Sequence, residues 1–127
     1  MTETAKRDLL VVACAISAGI HAALAPEHFE ESMVTGAGFA ASAALLAVLV
    51  VALRRPHHAA LASGLTATTL AALIVLYAVA AATGIPVLHP DVDPVDRIAV
   101  ATKAVELVGL ALALDLLRHP HREGATA

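Results

Sequence analysis

Polar and apolar positions do not alternate along this chain at any short period. They separate into blocks: continuous apolar runs at 9–25, 34–53, 59–82 and 95–117, divided by short polar clusters. About 20 apolar residues in a helix cross a hydrocarbon core roughly 30 Å thick, and three of the runs reach that length. The first reaches it only if its helix continues toward Phe29. A membrane β-barrel would instead show segments of about 10 residues with alternating polarity. The pattern therefore predicts an all-α fold, an integral membrane four-helix bundle with helices at about 9–29, 34–53, 59–82 and 94–118, forming one transmembrane domain over 1–127.

Local signals sharpen the ends. Asp93 before Pro94, with Asp96 following, has the form of an N-cap, a proline at N1 and an acidic first turn. Gly84 ahead of Pro86 is a stop for the third helix. A residue preceding proline avoids helical geometry, which predicts a break at Ala25 and an exit of the first helix at Pro26.

Composition agrees with the block pattern. Of 127 residues, 59% are hydrophobic and 15% charged, whereas soluble domains are about 45–50% apolar even with glycine counted. The start, AKRDLLVVACAISAGIHAALA, also has the shape of a secretory signal. The histidine within the run, Pro26 directly after the Ala-Leu-Ala site and the charge pattern all favour retention as a helix.

Charge sets an orientation. Lys6 and Arg7 precede the first run, Arg54 and Arg55 separate the second and third, and Arg118 and Arg122 follow the fourth. The other two connections, PEHFEES and GIPVLHPDVDPVDR, hold six acidic residues and only Arg97. By the positive-inside rule both termini are cytoplasmic and the spans number four. The expected location is the cell membrane, as a multi-pass protein of the bacterial inner membrane. The expected partners are the bilayer and either another membrane protein or further copies of the chain. A net charge of −3 and the lack of a basic, aromatic patch exclude nucleic acid. The basic pairs RRPHH and RHPHR suit anionic lipid.

Small-x-x-x-small pairs, Gly36 with Ala40, Gly38 with Ser42, Ser63 with Ala67 and Gly64 with Thr68, suit close helix packing in lipid. The single cysteine, Cys14, lies in an apolar run and reads as inert packing.

Ionisable groups within a bilayer cost about 2.5–3.5 kcal/mol each on insertion scales, so each needs a reason. His21, Lys103 and Glu106 qualify; Asp115 lies near enough to the inner end to reach headgroups. At 100° per residue, Cys14, Ser17, His21 and His28 share one face of the first helix. Thr102, Glu106, Gly109 and Ala113 form a mostly small face on the fourth, with Lys103 and Glu106 spaced to pair. Counted from Pro94, Glu106 is about 18 Å from the outer end, and His21 also belongs to the outer half.

These depths let His21, Lys103 and Glu106 meet inside the bundle, with Ser17 a further intramembrane polar residue. One reading is a binding site for a metal ion or small ligand through His21, Glu27, His28 and Glu106, a donor set suited to a divalent or copper ion. His21 and His28 are about 10.5 Å apart on an unbroken helix, so they share a metal only if the chain folds back after Pro26. A second reading has the polar groups as packing glue of an accessory subunit, with His21 bonded to a carbonyl or to Thr66 or Thr69. A third is a proton or cation pathway. His89, Asp91 and Asp93 in the outer loop form a weaker secondary cluster. Enzymatic motifs of the phosphate-loop, serine-hydrolase and zinc-protease types are absent, and no nucleophile stands at a usable spacing from a base.

The segment His21-Ala-Ala-Leu-Ala-Pro-Glu-His28, together with Thr83-Gly-Ile-Pro86, resembles an uncharacterised group of small, alanine-rich, four-helix membrane proteins of actinobacteria. The resemblance implies that His21, Glu27 and His28 act together.

Overall fold

The computed structural model describes residues 1–84 and 95–119. Four α-helices account for nearly all of them: α1 (Glu3–Glu31), α2 (Met33–Leu53), α3 (Ala59–Thr83) and α4 (Arg97–Arg118), with a single 3-10 turn at Pro56–His58 before α3. No strand occurs among the described residues.

Each boundary has a local cause. The Thr2 hydroxyl accepts from the Ala5 amide at 3.1 Å and opens α1. Ser32 ends α1 by donating its N–H to the His28 carbonyl at 2.9 Å, and its hydroxyl caps α2 at the Thr35 amide. One residue thus serves both helices, and α2 turns back directly along α1. Gly84 closes α3 at φ 67°, a left-handed conformation open to glycine, with its N–H on the Ala80 carbonyl. Asp96 caps α4, its carboxylate accepting from the Ala99 amide at 2.6 Å.

Two expectations are corrected here. Pro26 does not end α1, which runs five further residues to Glu31. Proline removes one intrahelical bond and crowds the carbonyl four residues back; here that residue is Ala22, which adds no bulk. The Ser32 cap and the immediate packing of α2 hold the continuation. PEHFEES is therefore the last turns of a helix, and no lid forms from it. The fourth helix begins at Arg97 instead of 94, because Asp96 supplies the capping oxygen; Asp93 and Pro94 lie outside the described residues.

α1 packs against α2 on one flank and α4 on the other, α3 packs against α4, and α2 meets α3 least closely. Neighbours run antiparallel: moving along α1 from Lys6 to Ser17, the partners on α4 run from Asp115 back to Glu106. Lys6, Arg7, Arg54, Arg55 and Arg118 consequently gather at one end of the bundle.

The core is a seam of small and leucine residues, Leu10, Cys14, Leu46, Leu53, Leu70 and Ala113 among them. Outward faces are apolar too, with Val12, Val48, Leu61, Val75 and Val108 all exposed. A chain that shows apolar side chains on every flank is built for lipid contact. Three of its helices are long and apolar enough to cross a membrane: α1, α2, and α3 with its leading turn. α4 is of similar length but carries Lys103, Glu106 and Asp115 between its terminal arginines.

The small-residue pairs divide by face. Ser63 and Ala67 are buried, while Gly38 and Gly64 meet nothing that a Cβ would touch. Ser42 and Thr68 bond to the carbonyls of those glycines, within their own helices. Gly36 is the demanding position, since a Cβ there would lie 2.7 Å from the Phe29 Cα and 2.3 Å from its Cγ. The ring can move but the α1 backbone cannot. Gly36→Ala should lower stability by about 1–3 kcal/mol, as overpacking does, whereas Gly38→Ala should be neutral or slightly stabilising; paired unfolding curves in mild detergent test both.

Candidate functional site

The helical period that buries Leu10, Cys14, Ser17, His21 and Ala25 on α1 also buries Thr102, Glu106, Gly109 and Ala113 on α4. Both faces are those expected from the sequence, and where they meet the polar residues form a connected chain. Glu106 is fully buried at 0% exposure. Its Oε1 accepts from the Ser17 hydroxyl at 2.8 Å, and its Oε2 accepts from the Lys103 ammonium at 2.5 Å.

Ser17 joins this pair to His21. The His21 Nδ1 lies 2.9 Å from the Ser17 carbonyl and 3.4 Å from the Ser17 hydroxyl. A carbonyl only accepts, so Nδ1 carries the proton and Nε2 of the neutral ring keeps its lone pair. The Nδ1–H is taken first by the Ser17 carbonyl, with the Ser17 hydroxyl a longer second acceptor, and the Ser17 Oγ–H in turn donates to Glu106. His21 does not reach Glu106 directly; Ser17 stands between them.

Lys103 is held on three sides. Besides Glu106, it lies 3.5 Å from the Leu73 carbonyl and 5.3 Å from the centre of the Tyr77 ring, a cation–π distance. The Tyr77 hydroxyl is buried without a hydrogen-bond partner, as is the Thr66 hydroxyl. Thr69 bonds to the Leu65 carbonyl of its own helix. Neither threonine takes up His21.

Toward the end away from the gathered arginines, His28 repeats the geometry of His21, with Nδ1 2.9 Å from the Leu24 carbonyl. Phe39 of α2 lies against both rings, stacked on His28 at 3.8 Å between centres and tilted to His21 at 5.4 Å. Glu27 is exposed on another face of α1. The continuous helix keeps His28 one face-length from His21, and Glu27 does not join the buried chain. Among the described residues, no group of three or more His, Cys, Asp or Glu side chains is arranged to hold a metal ion. His89, Asp91 and Asp93 lie outside the described residues.

Toward the basic end, the polar chain stops at an apolar layer. Leu10, Ala13 and Leu70 close around Gly109, where an added Cβ would be 2.9 Å from Leu70 Cδ1. Beyond that layer Asp115 pairs with Lys6 at 2.5 Å. Asp115, whose side chain keeps 40% exposure, ties the ends of α1 and α4 together.

Phe39, Tyr77 and the Lys6 to Asp115 pair escape a reading of spacing alone. One signal for the rings was present: the chain has only two Phe and one Tyr, and two of these three line the polar chain. No protein-family model, curated protein or solved structure matches this sequence.

Proposed function

We propose that this is a four-span protein of the cell membrane, with both termini cytoplasmic, whose outer half carries a proton relay from His21 through Ser17 to Glu106. The observation that carries the reading is the contiguous run of polar groups from His21 past the Ser17 hydroxyl to a fully buried carboxylate. A buried ion pair is a poor way to gain stability, because apolar residues of similar volume often serve as well or better. An ionisable residue within a membrane helix, with its partner named, is a functional feature by default.

Four spans are supported by the pairing of α4's interior charges. Lys103 is matched by Glu106 and Asp115 by Lys6, so α4 presents apolar Val100, Leu107, Val108 and Leu114 outward like its neighbours. The gathering of basic residues at one end supports cytoplasmic termini.

Two groups able to take a proton meet in this site with different access. His21, 7% exposed, keeps a free Nε2, while Glu106 is sealed from the basic end by the Leu10, Leu70 and Gly109 layer. Proton exchange therefore proceeds from the outer side, and passage further inward requires that layer to part. In liposomes loaded with a pH-sensitive dye, the wild type should relax an imposed pH gradient faster than protein-free vesicles. His21→Ala and Glu106→Gln should return the rate to the protein-free value while circular dichroism and elution volume stay unchanged. A rate that is equal in wild type and both variants overturns the relay.

A metal ion or small ligand held at His21 is the second reading. It is favoured by the free Nε2. Both Glu106 oxygens are already engaged, so a metal would have to displace Lys103 and recruit further ligands beyond His21. Elemental analysis of the purified protein decides this: a stoichiometric metal lost in His21→Ala supports it, and a metal-free wild type removes it. If Glu106→Gln instead abolishes folding and the wild type conducts nothing, the polar groups act as the glue of an accessory subunit.

A further inference from the structure

At the end where the arginines gather, α2 and α3 part. Ala47 and Ala52 from one helix and Ala62 from the other are among the residues that line the space between them. The result is an open groove of about 610 Å³, within the roughly 300–1,000 Å³ usual for small-molecule sites. Its walls are apolar, with Ala47 and Val51 from α2 and Ala62 and Leu65 from α3, and its mouth is formed by Arg55 and His58. Along α2 its lining runs from Ala47 to Ala52, five residues or about 7.5 Å of helix, and continues past the helix end to Arg55. No acidic side chain among the described residues lines it.

We propose that this groove binds one anionic phospholipid of the adjoining leaflet, its phosphate on Arg55 and His58 and its acyl chain between α2 and α3. Charge and depth both support that occupant. The two donors sit where a loop joins two helices long and apolar enough to span, which is the level of the headgroups. Below them the walls offer hydrocarbon contact and no polar group. A peptide would leave its backbone unsatisfied against such walls, whereas an acyl chain has nothing to satisfy. Basic pockets between transmembrane helices are a known form of headgroup recognition. The inference rests on the membrane-spanning reading of α2 and α3 and is independent of the polar relay near Glu106.

The test uses the full chain in neutral detergent, with phosphatidylglycerol and phosphatidylcholine of identical acyl chains as probes. Retained lipid is counted by native mass spectrometry. One phosphatidylglycerol per chain should be retained, and phosphatidylcholine should not. Arg55→Gln should weaken retention about fivefold, as expected for one basic residue at the membrane surface. Ala47→Phe, at an exposed wall position, should abolish it by filling the groove without touching the core. Equal retention of both lipids overturns the proposal, and so does retention that survives Ala47→Phe. A wild type that is a dimer and becomes monomeric in Ala47→Phe also overturns it, since the groove would then be an interface between copies. Proton flux through His21 and Glu106 should be the same in Ala47→Phe as in the wild type, which separates this result from that of the relay.

Discussion

Lys103→Met should destabilise the folded bundle by about 3–5 kcal/mol, the usual cost of leaving a buried charge without its partner. Glu106 has no exposure to water, and its remaining donor in that variant is the neutral Ser17 hydroxyl. The effect is directional. Glu106→Gln keeps an acceptor for Ser17 and leaves Lys103 on the Leu73 carbonyl and the Tyr77 face. With 16% of its side chain exposed, Lys103 is also better placed to move its charge than Glu106 is. Glu106→Gln should therefore cost less than Lys103→Met. The double variant Lys103→Met/Glu106→Leu removes both charges and should recover most of the loss, while proton flux falls to the protein-free rate. Reversible unfolding in mixed detergent micelles measures all three, and a Lys103→Met variant as stable as the wild type would show that the pair does not shape the energetics of this site.

That expectation depends on a site whose faces were legible in the sequence while its links were not. Residues 14, 17, 21 and 28 fall on one side of any straight helix, and 102, 106, 109 and 113 on one side of another. Helical period is a geometric constraint, so both faces emerge from counting. Which side chain touches which depends on the rotation of one helix against its neighbour, and spacing within a helix does not contain that angle. Ser17 could be assigned to the polar face but not to the gap between His21 and Glu106.

The misread elements share a cause. Pro26 and Pro94 each carry a local preference, for a break and for a helix start. At Pro26 tertiary packing outweighs that preference: the Ser32 turn presses α2 against the last turns of α1, and a proline beside alanine costs that helix little. At the start of α4 the competing local signal won, because Asp96 is an effective cap. The acidic residues of PEHFEES suggested an outer loop, yet Glu27 and Glu30 are accommodated as exposed positions on a helix end.

Leu70→Ala should cost at least about 2 kcal/mol, toward the lower end of the roughly 2–5 kcal/mol seen for buried leucines. The lower end applies because in a lipid environment the removed atoms would otherwise face hydrocarbon, so the transfer part of the penalty falls away. What remains is lost contact: Leu70 is fully buried and approaches Gly109, at the layer that divides Glu106 from the Lys6 to Asp115 pair. A cavity lined by Leu10, Ala13 and Ala113 has no polar partner to offer and should remain dry. Proton flux should accordingly stay at the wild-type rate in Leu70→Ala despite the lost stability. Leu70→Ser makes a similar hole but adds a hydroxyl that can hold a water, about nine residues of helix from Asp115 to Glu106, or roughly 13.5 Å, being the distance to bridge. If the apolar layer is the barrier to inward passage, Leu70→Ser should conduct faster than Leu70→Ala at comparable stability. Equal fluxes in the two variants would mean that the barrier lies elsewhere along α4.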